Sequence, residues 1–150
     1  MSYIENNLVT GETLVHRGRL HWVIFLWPII WLLVAIGSAI YIGKYGLLVL
    51  ILAVITGLAS FIRYKTSEFG ITSKRVIVKV GFIRLNSIEV LLNKVEGIQV
   101  NQDIPGRILG YGSITVTGTG GTRDPFHTIA APFEFRKRAQ EQIAKVQDLQ

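Results

Sequence analysis

The sequence predicts an α+β membrane protein, in which a transmembrane helical hairpin precedes a small β-domain and a C-terminal helix. Two nearly uninterrupted apolar runs fill residues 22–62, short alternating segments follow from Thr66, and an apolar stripe at helical spacing ends the chain. Hydropathy concentrated in one part of the chain disfavours a single large soluble core. The predicted divisions are a cytoplasmic N-terminal segment 1–21, the hairpin 22–62, and the β-domain 66–150 with its helix at about 132–147.

The two apolar runs are long enough to cross a bilayer as helices. The first span, 22–42, has about 21 residues without a charge, and the second, 45–62, has about 18, which suits a hydrocarbon core of about 30 Å. A signal peptide is disfavoured because about twenty mostly polar residues precede the first run and no small-residue cleavage pattern follows it. Small residues predict where the two helices pack closely, namely Ala35, Ala39, Ala53 and Gly57.

Basic residues flanking the spans predict their orientation. Arg17 and Arg19 precede the first span, Arg63 and Lys65 follow the second, and the turn between them offers only Lys44. Because Lys and Arg are enriched on the cytoplasmic side, both termini are predicted to be cytoplasmic.

Beyond Thr66 the sequence predicts strands with one buried face. Val76, Val78 and Val80 are expected to face inward while Arg75 and Lys79 face out, and Gly81 is expected to turn the chain into 82–86. The same alternation recurs in three later segments: Ile88, Val90 and Leu92 with Glu89; Ile98 and Val100 with Gln99 and Asn101; Ile114 and Val116 with Thr115 and Thr117. Residues 118–121 are predicted to form a hairpin turn before a last strand that includes 126–129.

Two helices are predicted in this half of the chain. Residues 105–109 are expected to form one short helical turn. The C-terminal helix begins near Pro132, which suits a first helical position because it has no N–H to leave unpaired. Its apolar stripe is expected to lie across the sheet, and its charged face is expected to be solvated; the stripe consists of Phe135, Ala139, Ile143 and Val146.

Three segments resemble one bacterial family. They are Thr72-Ser73-Lys74-Arg75 with its following strand and Gly81, Leu92-Asn93-Lys94-Val95-Glu96-Gly97-Ile98, and Gly106-Arg107-Ile108-Leu109-Gly110-Tyr111-Gly112-Ser113-Ile114. They resemble the bacterial pleckstrin-homology-like (PH-like) domain, a former domain of unknown function that commonly follows a two-helix membrane anchor. The resemblance implies a seven-stranded, partly open β-barrel capped by a C-terminal helix, on the cytoplasmic side of the inner membrane. Its family motif falls on Gly106, Arg107, Leu109, Gly110, Tyr111 and Gly112, and it implies no known reaction.

The residues predict no catalytic, cofactor or metal site. The absence of cysteine removes thiolate nucleophiles and thiolate metal sites. A dyad of Asp124 and His127 would need a nucleophile, for which Ser113 and Thr128 are nominal candidates. The glycine run at 118–121 lacks the Lys-Ser/Thr ending and following helix of a phosphate-binding loop. No small-molecule substrate is therefore predicted.

Three functions are compatible with these features. The favoured one is a membrane-tethered interaction module that binds a protein partner or further copies of itself. The second is recognition of anionic lipid headgroups by the basic residues Arg63, Lys65, Lys74 and Arg75. An enzyme or transporter component is disfavoured because neither span contains an ionisable residue. Nucleic-acid binding is not predicted, because the membrane explains the net charge of +6 better.

Overall fold

The computed structural model describes residues 3–43, 46–81, 86–119, 121 and 125–148. Within these ranges the elements, in chain order, are α1 (Tyr3–Asn6), β1 (Leu14–Gly18), α2 (Leu26–Ile42), α3 (Gly46–Thr66), β2 (Glu68–Thr72), β3 (Arg75–Val80), β4 (Asn86–Leu91), β5 (Val95–Asn101), α4 (Ile104–Leu109), β6 (Tyr111–Gly118), β7 (Pro125–Ala130) and α5 (Pro132–Gln147). Short 3-10 helices precede α2 and β5. The predictions for Lys44, Tyr45, residues 82–85, Gly120 and Asp124 lie outside the described residues.

The chain forms two compact units, and the β-domain is discontinuous in sequence. One unit is Trp22–Thr66, and the other combines Met1–His21 with Ser67–Gln150. The sequence predicts no strand before the first span, yet β1 pairs antiparallel with β2. The two apolar helices are therefore inserted between two neighbouring strands of one sheet.

The apolar unit consists of α2 and α3, which pack against each other. The α-helix α2 begins at Leu26, after a 3-10 turn at Trp22–Phe25, and Pro28 lies in its first turn, where a missing N–H breaks no helical hydrogen bond. Helix α3 continues past the predicted end at Ile62 to Thr66. Of the four small residues predicted at the helix contact, Ala35 and Ala53 are buried as expected, whereas Gly57 is half-buried and Ala39 is exposed.

Most other apolar side chains of this unit are exposed. Exposure reaches 70% for Trp27, 76% for Ile40 and 64% for Leu48. Two segments, Trp22–Tyr41 and Gly46–Thr66, are long and apolar enough to cross a membrane. The packing between α2 and α3 thus leaves most of their apolar surface uncovered.

The β-domain contains two antiparallel sheets, in the orders β1-β2-β3-β4 and β5-β6-β7. The chain after β1 links them, because Leu20 forms an antiparallel bridge with Ile129 and the N–H of Ala130 donates to the carbonyl of Arg19 at 3.0 Å. The described residues contain seven strands, the number that the family resemblance implies.

The predicted alternation is largely confirmed. Ile114 and Val116 are buried, Leu92 is fully buried, and Gln99 and Asn101 are exposed between half-buried neighbours. Val76 and Val78 are buried as predicted, but Val80 is only half-buried.

Strand β3 departs from simple alternation because α1 covers the second face of its sheet. Ile77 is fully buried and pairs with Gly70 in β2. A Cβ at Gly70 would lie 2.7 Å from Cδ1 of Ile4, which is itself fully buried. The N-terminal helical turn therefore packs directly on the backbone of β2.

Helix α5 begins at Pro132, as predicted, and packs on the β-domain. Phe135 and Ala139 are fully buried, whereas Ile143 and Val146 are half-buried, so the burial of the stripe decreases toward the C-terminus. The ring of Phe135 packs against Gly18 of β1. A Cβ at position 18 would lie only 3.0 Å from this ring, so glycine leaves the space that the ring needs. The residue before the helix, Ala131, has a positive φ of 47°.

Candidate functional site

A groove of about 450 Å³ runs along β5. Within the described residues β5 pairs only with β6, so its other edge has no strand partner there. The pairing shifts register between Val95 and Gly97, which is a β-bulge that leaves Glu96 exposed. The groove is lined by Glu96, Gly97, Ile98, Gln99, Val100, Thr117 and Arg136.

Helix α5 supplies the charged wall of this groove. Arg136 is half-buried, and its guanidinium carbon lies 5.1 Å from the ring centroid of Phe133. This cation–π contact restricts the side chain. Half-buried Ile98 and Val100 supply the apolar surface, and Glu96 supplies a carboxylate. The site therefore combines an open strand edge, an apolar floor and charges of both signs.

A buried ion pair ties the N-terminal segment to the turn between β2 and β3. Arg75 donates from Nε and Nη2 to the two carboxylate oxygens of Glu12, each at 3.0 Å. Thr72 Oγ1 donates to Glu12 at 2.6 Å, and the N–H of Val9 donates at 2.8 Å. Burial raises the pKa of Glu12, but the hydrogen bonds from Thr72, Val9 and Arg75 outweigh burial, so its pKa is lowered.

Arg75, a predicted headgroup contact, is engaged within the domain. Besides Glu12, its guanidinium donates to Glu89 Oε2 at 2.6 Å and to the carbonyl of Asn7 at 2.7 Å. Its side chain is only 15% exposed. We therefore assign Arg75 a structural role in joining the N-terminal segment to β3 and β4.

The four predicted headgroup contacts are divided between the two units of the chain. Arg63 and Lys65 lie in the last turn of α3, next to the start of β2. Lys74 and Arg75 lie beyond the opposite end of β2, and the Lys74 ammonium donates to the carbonyl of Thr10 at 3.2 Å.

The family motif forms a tightly packed corner. The short helical turn is confirmed as α4, and it ends at Gly110, whose φ of 81° is left-handed. A Cβ at Gly106 would lie 2.6 Å from the carbonyl oxygen of Tyr111, which also accepts a hydrogen bond from Gln102 Nε2 at 2.8 Å.

The other motif residues join this corner to the rest of the domain. Gly112 pairs with Ile129 in β7, and the ring of Tyr111 lies 5.5 Å from the ring of His21. Leu109 is partly exposed and Arg107 is exposed on α4. Gly106 and Gly112 thus permit close backbone approach, because a Cβ at either position would lie within 3 Å of a neighbouring atom.

Replacing Gly106 by alanine is expected to destabilise the β-domain by about 1 to 3 kcal/mol, because the new methyl group would overlap a backbone carbonyl. Gly97→Ala is the matched control, since a Cβ there has nothing within 4 Å. Hydrogen exchange of β6 amides in the full chain measures both effects. Equal protection in the two variants would contradict the packing assigned to Gly106.

A smaller polar pocket, of about 210 Å³, contains residues considered for catalysis. It is lined by Asn101, Asp103, Tyr111, Gly112, Ser113, His127 and Thr128. It thus brings His127 together with Ser113 and Thr128. The Ser113 hydroxyl donates to the carbonyl of Asn101 at 3.3 Å. Among the described residues, no group of three or more His, Asp and Glu side chains could hold a metal ion.

The β-domain thus combines two antiparallel sheets, a packed C-terminal helix and, at β5, an edge strand that has no second backbone partner among the described residues. Residues 20–150 match the family described as bacterial PH domain, so the chain belongs to that family, and the predicted resemblance is confirmed. The match includes both apolar helices. Domains of the PH-like type generally bind proteins or lipids and are generally non-enzymatic. No curated protein and no solved structure is significantly similar to the chain.

Proposed function

We propose that this protein is a membrane-anchored interaction module, which binds an extended segment of a partner protein, or of another copy of itself, along β5. The observation that carries the proposal is that β5, whose residues line the groove, has one edge without a strand partner among the described residues. An open edge offers backbone N–H and C=O groups that an added strand can pair with. The groove beside it can receive alternate side chains of that strand, which would supply specificity.

The exposed apolar surface of α2 and α3 supports the membrane anchor. A side chain such as Trp27, which is 70% exposed, would be costly in water but favourable in lipid. The insertion between β1 and β2 supports a hairpin topology, because these strands pair in one sheet and both ends of the hairpin must return to it. The flanking Arg17, Arg19, Arg63 and Lys65 support placing that sheet in the cytoplasm.

The two sheets support the partly open barrel that the family implies. They are joined where Leu20 bridges Ile129, and α5 packs on β1, β2, β5 and β6. In this proposal the protein scaffolds a protein assembly at the inner membrane and catalyses no reaction.

Recognition of anionic lipid headgroups is the second candidate. Arg63 and Lys65 favour it, because they occupy the last turn of an apolar helix, where inner-leaflet phosphates would lie. Lys74 and Arg75 favour it less, because Arg75 donates to Glu12 and Glu89 and both residues lie at the far end of β2. An enzyme or transporter role is the least supported.

A photoreactive amino acid at Gln99, incorporated into the full chain in living bacteria, is expected to yield one discrete cross-linked product on irradiation. Gln99 is exposed and lines the groove. A product of about twice 16.8 kDa would identify self-association, and another mass would identify a distinct partner. The control is the same probe at Gln140, which is exposed on α5 but does not line the groove. Either cross-linked product from Gln99 supports the proposal if the probe at Gln140 does not yield that product. The proposal fails if neither position cross-links or if both give the same products.

A further inference from the structure

Helix α4 presents large apolar side chains to solvent. Ile104 is 77% exposed and Ile108 is 78% exposed, and Leu109 beside them is 39% exposed. Residues four apart lie on the same face of a helix, so the two isoleucines form one apolar knob. Arg107 is exposed on the same short helix. Such a knob differs from the isolated exposed hydrophobic residues that surfaces normally carry.

Helix α4, through the buried face opposite the knob, lies close to His21, which immediately precedes the first apolar segment. A Cβ at Gly106 of α4 would lie 3.7 Å from Cε2 of Tyr111, and the Tyr111 ring is 5.5 Å from the ring of His21. The N–H of His21 donates to the carbonyl of Thr128 at 2.7 Å, which fixes this residue on the domain. The next residue, Trp22, begins the first candidate span. One aromatic ring therefore separates α4 from the residue that precedes the membrane segment.

We infer that α4 inserts Ile104 and Ile108 into the boundary between the headgroups and acyl chains of the bilayer, and so fixes the domain against the membrane surface. The inference rests on the membrane anchor in the proposed function. The side chains of α4 suit contact with a bilayer. Isoleucine side chains can enter the acyl boundary, while the long side chain of Arg107 can reach back to the lipid phosphates. This contact differs from headgroup recognition by Lys74 and Arg75, which lie at the far end of β2.

The inference can be tested in the full chain, because it has no cysteine and a single one can be introduced at will. Ile108→Cys carries an environment-sensitive fluorophore, and the protein is reconstituted in vesicles of phosphatidylcholine and phosphatidylglycerol. Since Ile108 is largely exposed, the change leaves the core intact. Lys74→Cys, in the turn between β2 and β3, is the control on the β-domain, and Ile51→Cys, in α3, is the control for the anchor.

The label at position 108 is expected to be quenched by spin labels on the lipids, at a depth of about 5 to 10 Å below the headgroups. The label at position 74 is expected to be quenched by aqueous iodide instead. The inference is overturned if the label at 108 is as accessible to iodide as that at 74. It is also overturned if the label is shielded from both quenchers, since a protein would then cover α4. If lipid quenchers do not reach position 51, the anchor and the inference both fail; if they reach 51 but not 108, only the inference fails.

Discussion

Replacing Glu12 by glutamine is expected to lower the free energy of unfolding of the β-domain by about 3 kcal/mol at neutral pH. The Glu12 side chain is fully buried and receives donors from Arg75, Thr72 and Val9. A glutamine has the same shape but no charge. Its side-chain NH₂ group, which can only donate, must replace a carboxylate oxygen that accepts hydrogen bonds from Thr72, Val9 or Arg75. Arg75 keeps Glu89 as a partner, which limits the loss to the lower end of the range for broken buried ion pairs.

Hydrogen exchange of β2 amides, followed by mass spectrometry in the full chain, measures this loss. Tryptophan fluorescence would not report it, because all three tryptophans lie in the apolar unit. Glu89→Gln is the matched control, since it removes a carboxylate from the same arginine. Glu89 is 37% exposed, and we expect a loss of less than about 1 kcal/mol. Equal losses in the two variants would contradict the role assigned to Glu12.

The effect of Glu12→Gln is expected to depend on pH. The pKa of Glu12 is lowered from its ordinary value of about 4.5, so the folded state favours the charged carboxylate. Its contribution to stability is fully present above that ordinary value and is lost as the pH falls through the lowered pKa. The stability difference between the wild type and the variant should therefore shrink in acid below about pH 4.5. A difference that stays constant through this range would point to lost packing instead of lost charge.

The ion pair between Glu12 and Arg75 shows why part of the fold could not be predicted from the sequence. The apolar helices are continuous apolar runs and the stripe of α5 is periodic within a single segment, so local sequence was sufficient to predict them. The contact of Glu12 with Arg75 joins residues 63 positions apart, and neither residue carries a local signal of its partner. The same holds for β1, whose sequence Leu14-Val15-His16-Arg17-Gly18 has no clear alternation and becomes a strand by pairing with β2.

The groove along β5 could not be predicted from the sequence either, because it also depends on contacts between segments that are distant in the chain. The alternation of β5 predicts a strand, but only the order of strands in the sheet makes that strand an edge. On α5, Arg136 and Lys137 are adjacent cations that the sequence alone does not distinguish. The packing of Phe135 and Ala139 sets the rotation of the helix, and this rotation places Arg136 in the groove while Lys137 is exposed. The family motif, by contrast, was found from sequence because it lies in one continuous stretch.

Because Arg136 lines the groove and Lys137 does not, charge reversal at these two positions is expected to affect binding differently. Arg136→Glu is expected to weaken binding along β5 by about 2 kcal/mol or more, which corresponds to roughly a 30-fold loss of affinity. It removes the cation that forms one wall of the groove and puts a second carboxylate in the groove with Glu96. Lys137→Glu makes the same change in net charge on the same helix, outside the groove. We expect that control to bind as the wild type does.

The yield of the cross-linked product from Gln99 measures this effect, and unchanged hydrogen exchange in β6 shows that the domain remains folded. If both charge reversals reduce the yield equally, net charge governs the interaction, and the groove is not its site. The double variant Arg136→Glu with Glu96→Arg separates two further possibilities. It restores one charge of each sign to the groove. Recovery of the product would show that charge balance within the groove is sufficient, and continued loss would show that the bound segment needs a cation on α5.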